Sequence, residues 1–351
     1  MRKWLISLGL VICLVAAFAI SVGVEAAPTG KIYNWKLFAF YGPTEGACCL
    51  EWPGLMDKIE KATNGQLKIT IYWRGEHPFE GADALKIIKE GSAQLAHFYG
   101  GYLSATNSAF NIDGIPMTLP VQSDKAFEVM KGLYGEFKGN KSGVLERILQ
   151  DRWNASMIWL MPASPQRFFT NGYEVTGIGS MKGHKVRVYN AELAKLVEIL
   201  GGTPVSISFG ETYTGLATGL VDGLVTSLQF ADSGGMLDNC DTINLWEISQ
   251  AMDGLVVNRE ALNELPADVR ETFLNVMYES VSGPPMRELN VNAISLEHYL
   301  KTGYDICIPS QKARDEVVKR VEEEIWPAWL KAGGVDAESA LKQAKEIMAS
   351  F

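Results

Sequence analysis

The sequence predicts an α/β protein of two lobes, each a mixed, mainly parallel sheet flanked by helices. Three observations carry that prediction. Short apolar runs that alternate like strands are separated by stretches with helical spacing, which is the pattern of parallel βαβ units. The pattern starts afresh in the middle of the chain, after a proline-rich passage from Met161 to Pro165. The chain also has 351 residues, more than one ordinary hydrophobic core serves, so two lobes are expected.

At the amino terminus, Arg2 and Lys3 precede the apolar run WLISLGLVICLVAAFAISVGV, which closes on Val24-Glu25-Ala26. This is the layout of a secretory signal peptide, with a small residue at the cleavage point. The same run is long enough to cross a bilayer as an uncleaved anchor. A cut after Ala26 leaves 325 residues and moves the formal charge from -9 to -10, because two cations and one anion depart. The expected product is periplasmic, with no stable membrane insertion after cleavage. An acidic chain without Lys/Arg clusters is not expected to bind nucleic acid or anionic membranes. Any anion it binds must be held locally. Cys48, Cys49, Cys240 and Cys307 remain, too few for a disulfide framework in a chain this long. Adjacent Cys48 and Cys49 suit disulfide geometry poorly, so buried thiols are expected.

The elements follow in order. Lys31 to Tyr41 reads as a strand, and Pro53 to Thr63 as a helix with Leu55, Ile59 and Ala62 on one face, ended by Asn64-Gly65. Leu67 to Trp73 alternates like a strand; Ala82 to Glu90 is a helix stopped by Gly91, and Ala93 to Phe98 is a third strand. In the second half Lys185 to Val188 is a strand and Ala191 to Leu200 a helix stopped by Gly201-Gly202. VSISF follows with Val205, Ile207 and Phe209 on one side, then a short helix from Glu211 to Thr218, then a strand after Val221-Asp222-Gly223. A helix opens at Leu265-Pro266, a longer one runs from Pro284-Pro285 to about Leu300, and the tail is helical, broken at Pro327 and at Gly333-Gly334. The resulting division is a signal peptide at 1–26, lobe I at 28–153 and 247–283, lobe II at 154–246 and 284–320, and C-terminal helices at 321–351.

Catalytic constellations are absent from the sequence pattern. His77, His97, His184 and His298 stand at no metal-ligand spacing, and there is no G-x-S-x-G elbow, Walker loop or dinucleotide fingerprint. No enzyme activity, metal or cofactor is expected. Two arginines stand out instead: Arg187 at the end of a strand, and Arg167 in SPQRFFTN. In Lys185 to Tyr189 the valines share one face and Arg187 shares the other with Lys185, which by periodicity alone makes Arg187 solvent-facing. It also lies near a strand's carboxyl end, where open α/β lobes bind ligands. A planar guanidinium there suits a carboxylate held by two parallel hydrogen bonds.

These residues resemble the periplasmic solute receptors of tripartite ATP-independent periplasmic (TRAP) transporters, of the dicarboxylate-receptor type. The resemblance rests on an ordered set: Gly183-His184-Lys185-Val186-Arg187-Val188, Leu200-Gly201-Gly202, Phe209-Gly210-Glu211-Thr212-Tyr213, then Leu216, Gly219 and Val221-Asp222-Gly223. Weaker likeness covers nearly all of the mature chain. It implies a two-lobed periplasmic binding protein fold with the ligand cleft between the lobes and long helices linking them. It also implies that Arg187 receives a ligand carboxylate, that Arg167 stands near the same group, and that Phe209 and Glu211 line or brace the site. The implied partners are a small organic acid and the large and small membrane permease subunits, with uptake coupled to sodium and no cofactor in the receptor.

The likeness fails after Val-Asp-Gly, where Leu224-Val225-Thr226-Ser227 replaces the usual Gln-Glu-Asn-Pro and its ligand-touching asparagine. Thr226 becomes the expected contact there, and the apolar neighbours point away from a C4-dicarboxylate. Trp73, Phe98, Tyr99 and Trp159 lie near strand ends, where with Phe209 they are placed to wall a bulky or aromatic carboxylate; core packing explains each of them equally. A periplasmic enzyme acting on an organic acid and a sensory receptor are the alternatives.

Overall fold

The structure, a computed structural model, describes residues 30–120, 122–162, 165–281 and 295–351. The signal segment at 1–26 and most of the helix expected after Pro284-Pro285 lie outside the described residues.

Two sheets organise the chain. The first has strand order β2-β1-β3-β10-β4, from β1 (Tyr33–Phe38), β2 (Leu67–Tyr72), β3 (Leu95–Tyr99), β4 (Ala155–Pro162) and β10 (Met252–Asn258). β1 runs parallel to β2 and β3, whereas β10 is antiparallel to β3 and β4. β3 and β10 are buried along their whole length, as expected of strands covered on both faces. The second sheet has order β11-β9-β5-β8-β6-β7, from β5 (Gln166–Thr170), β6 (Lys185–Val188), β7 (Thr203–Ser206), β8 (Gly223–Ser227), β9 (Thr242–Asn244) and β11 (Asp305–Cys307). β6 is parallel to β7 and β8, and β5 is antiparallel to β8 and β9. Alternation along β5 sends Phe168 into the large core shared with the first lobe and Phe169 into a smaller cluster with Leu224 and Ile243.

Three sequence expectations are corrected. β4, assigned to lobe II within 154–246, pairs with β10 in the first sheet, so the chain crosses between lobes after Pro162 and not before Ala155. A fully buried strand such as ASMIWLMP reads the same in either sheet; only its partner decides. The first helix runs Gly46–Ala62 with Pro53 inside it, beginning ahead of the expected Pro53. Pro327 does not break the tail: it sits at the start of the helix Trp326–Met348, directly after a π-turn at Val321–Ile325, the kind of adjustment that accommodates a proline's missing N–H and ring. The break at Gly334 is present, with φ 52° and ψ -139°.

That last helix packs on the first lobe, where Trp329 Nε1 donates to Ser108 O at 2.8 Å. Lys195 meets Glu324 at 3.0 Å, tying the tail to the second lobe as well. Cys48, Cys49, Cys240 and Cys307 are buried and free, with 3.7 Å between the sulfurs of Cys48 and Cys49.

Candidate functional site

Arg187 organises the space between the lobes. β6 is an inner strand, flanked by β8 and β7, and its polar face is covered by the first lobe, so Arg187 is only 1% exposed. It is therefore not the solvent-facing residue that alternation alone suggests. Its Nε donates to Ile207 O at 3.2 Å and its Nη1 to Val225 O at 3.3 Å. Nη2 is buried without a partner. The guanidinium lies 5.2 Å from the centre of the Tyr189 ring, and no carboxylate within ion-pair distance answers it among the described residues.

The chamber at Arg187 is walled by six aromatic rings. Tyr41, Phe209 and Phe230 form one cluster, with centroids 4.9 to 5.7 Å apart; Tyr99, Tyr102 and Tyr189 form another, at 4.9 to 6.1 Å. Gln166, Thr226, Ala251 and Asp253 complete the lining. About 20 Å³ is free between them, room for roughly one water. A shallower cleft lined by Phe40, Arg74, Ser208 and Glu211 leads outward and shares Arg187, Tyr102, Tyr189 and Phe209 with the chamber.

The lobes are closed on each other. Tyr99 O–H donates to Tyr189 at 2.7 Å, and Tyr189 O–H donates to Gln166 Oε1 at 3.1 Å. Gly46 N–H donates to Ser233 Oγ at 3.3 Å, and Asn111 Nδ2 to Glu192 Oε2 at 3.1 Å. Gly46 is required at that contact: its φ is +80°, and a Cβ there would stand 2.5 Å from the Phe230 ring. The same closeness explains Gly101, whose Cβ would meet Tyr99 at 2.6 Å and Tyr189 at 2.9 Å.

Burial raises the pKa of Tyr41 and Tyr99 well above the ordinary tyrosine value. Tyr102 is also raised by burial, with Arg187 pulling it down and Asp253 pushing it up. These phenols therefore stay protonated donors. Below the chamber, burial pushes the Asp113 carboxyl up to about 8; its Oδ2 accepts from Met252 N–H at 3.0 Å while Oδ1 has no partner.

Of the residues expected from sequence, Arg187, Tyr99, Phe209 and Thr226 line the chamber. Glu211 lies on the outer cleft and braces it: its Oε2 accepts from Ser208 N–H at 3.0 Å and Ser208 O–H at 2.7 Å, closing a capping box on the helix Phe209–Ala217. Those bonds hold its carboxyl below the usual range. Phe209 is thus the first residue of a helix and not the end of a strand.

Four residues are not among the lining. Arg167 is engaged by Glu247 at 3.0 and 2.6 Å. Phe98 points to the face of β3 opposite Tyr99, as alternation requires, and packs edge-on against Phe110 and Tyr134. Trp159 and Trp73 pack on Trp52, at 6.1 and 6.3 Å. Leu224 and Val225 are fully buried core residues, so the sequence departure there changes the chamber only at Thr226, and Gln166 brings an amide in from β5.

Sequence reasoning missed Tyr41, Tyr102, Gln166, Tyr189, Phe230 and Asp253. Two of these carried a signal. Tyr189 stands two residues beyond Arg187, on the same face of the strand. Asp253 is an acid inside MDGLVVN, a strand apolar apart from it and the terminal Asn258.

Comparison with known proteins completes the picture. The family described as bacterial extracellular solute-binding protein, family 7, matches residues 53–328. A solute-binding protein of Chromohalobacter salexigens is 21% identical over 263 residues, covering 74% of each chain. The fold is similar to that of DctP6, a Bordetella pertussis extracytoplasmic solute receptor binding pyroglutamic acid, with a TM-score of 0.79 and 18% identity over 90% of this chain and all of that one. It is also similar to a TRAP periplasmic solute-binding protein from Desulfovibrio salexigens with bound orotic acid, with a TM-score of 0.78 and 19% identity over 91% of this chain and 99% of that one.

Proposed function

The chain belongs to family 7 of the bacterial extracellular solute-binding proteins, the TRAP-type solute receptors, and from that premise we propose that it captures an organic acid anion by a pair between the ligand carboxylate and Arg187. The supporting observation is the buried guanidinium whose Nη2 has no partner in a chamber closed by side chains of both lobes. A guanidinium held by two carbonyls alone is incompletely compensated in a dry site. A carboxylate there adds the charge-assisted bonds that are missing.

In the open form, water hydrates Arg187. On capture the acid replaces that water, and the lobes close by a hinge at the chain segments that pass between them, among them the one between β9 and β10. The free space in the closed chamber, about 20 Å³, is room for roughly one water, so a bound acid would have to displace the aromatic walls. A longer ligand would have to extend into the outer cleft past Arg74 and Glu211. The receptor is exported with its signal segment removed, and its closed form delivers the acid to the large and small permease subunits for sodium-coupled uptake. The relatives' character as receptors supports binding without turnover.

Thermal-shift screening of the mature protein against small organic acids, followed by calorimetry on the hits, tests the reading. An acid that raises the melting point of wild type and not of Arg187→Ala is the expected result. An acid bound equally by both would overturn the role given to Arg187.

A further inference from the structure

Asp253 lies in the same chamber as Arg187 and is 2% exposed. Phe40 N–H donates to His97 Nδ1 at 3.4 Å, so the ring proton is on Nε2, which donates to Asp253 Oδ1 at 2.9 Å. The imidazole gives the carboxylate one hydrogen bond, whereas an ionised carboxylate offers about four acceptor positions. No lysine or arginine among the described residues forms an ion pair with Asp253, and Arg187 is not within ion-pair distance of it. The two nonetheless act on a common neighbour: Tyr102 is pushed in opposite directions by Arg187 and Asp253.

The chamber thus holds a buried cation and a buried acid, separated and each short of partners. Such an arrangement is costly unless something placed between them answers both. A purely anionic guest answers only Arg187 and sets its own charge against Asp253. Tyr41, Phe209 and Phe230 line the same chamber, and aromatic rings attract a cationic nitrogen.

Resting on the proposal that a ligand carboxylate meets Arg187, we infer that the ligand is a nitrogen-bearing acid: its carboxylate sits at Arg187, and an N–H donor, ammonium or lactam, is accepted by Asp253 within the aromatic walls. Asp253 is then the residue that selects among acids, while Arg187 selects for acids.

The test uses matched acids that differ only at the group facing Asp253. Proline, tetrahydrofuran-2-carboxylate and cyclopentanecarboxylate form one set; 2-aminobutyrate and 2-hydroxybutyrate form a second; pyroglutamate and γ-butyrolactone-5-carboxylate form a third. Calorimetry on the full mature chain should show, in at least one set, the N–H member binding about tenfold or more tightly than its oxygen or carbon counterpart, the worth of a charge-assisted hydrogen bond. Asp253→Asn should shrink that preference to about threefold or less by removing the charge. Arg187→Lys should weaken every member. If Asp253→Asn does not fold, Asp253→Ser serves the same comparison.

Equal binding within every set, or a preference that survives loss of the Asp253 carboxylate, overturns the inference and leaves the Arg187 reading intact. A wild-type protein that binds no organic acid of either kind overturns the Arg187 reading, and the inference with it.

Discussion

Replacing Arg187 by alanine separates a ligand anchor from a structural arginine. The side chain is 1% exposed, and it loses two hydrogen bonds to carbonyls, Ile207 O and Val225 O, and no ion pair. Truncating one partner of a buried charge pair commonly costs about 2 to 5 kcal/mol of binding, roughly thirty- to several-thousand-fold in Kd. With acid at about 100 times the wild-type Kd, mass action stabilises the wild-type protein by about 2.7 kcal/mol, a melting-point rise of about 4 °C for a chain of this length. A thirtyfold weaker variant at the same concentration retains about 0.9 kcal/mol, and one weakened several thousandfold retains essentially none. Differential scanning fluorimetry with and without the acid reads this directly. Arg187→Lys should fall between the two, because an ammonium keeps the charge and loses the planar fork. A ligand-induced rise in Arg187→Ala equal to that of wild type would refute the reasoning.

Other consequences follow from the closed geometry. Gly46→Ala forces a side chain into a left-handed backbone, at about 1 to 2 kcal/mol, and against the Phe230 ring of the opposite lobe; calorimetry should show about tenfold weaker binding, and unchanged affinity would mean that this contact does not form on capture. Tyr189→Phe removes the bond to Tyr99 that crosses the cleft and the bond to Gln166 within the second lobe, each worth about 0.5 to 1.5 kcal/mol. Titration should show a loss of about three- to tenfold, and none at all would mean that the ring alone matters. Asp113 is pushed up to about 8 by burial, so the folded protein holds a proton that the unfolded chain has lost above about pH 4. The stabilising contribution of that protonated group is full below about pH 4 and lost as pH rises through about 8. Urea unfolding should show wild type losing on the order of a few kcal/mol from this group between pH 5 and 8, with Asp113→Asn losing less; identical slopes would contradict a buried protonated Asp113.

Local pattern carried the first three strands, the strands around Lys185–Val188, Val205 and Gly223, the helices between them and the importance of Arg187, because alternation, glycine stops and the strand-end position are written in neighbouring residues; β4, β5, β9, β10 and β11 went unread. It did not carry the burial of Arg187. What covers that face is Tyr99 and Tyr102, some 85 residues away in the chain, so alternation reports a polar face without saying what closes over it. The aromatic residues divide for the same reason. Phe98 and Tyr99 are adjacent, yet the pleat sends one into the core and the other into the chamber. Trp73 and Trp159 were expected in the site for their size and strand-end positions, but packing on Trp52 uses them, Trp73 stacked and Trp159 edge-on. Residues 155–162 were placed in the wrong lobe, without being read as a strand, because a buried apolar run matches any central partner, and β10, its actual partner, lies about 95 residues further along. Asp253 was legible in principle, since an acid in a fully buried strand needs a reason.

The most direct measurement is a crystal structure of the mature protein with its tightest acid bound. The account predicts the carboxylate within about 3 Å of Arg187 Nη2 and the lobes joined by the Tyr99 to Tyr189 hydrogen bond. A bound acid whose carboxylate is held elsewhere, with Arg187 still facing only Ile207 O and Val225 O, would contradict it.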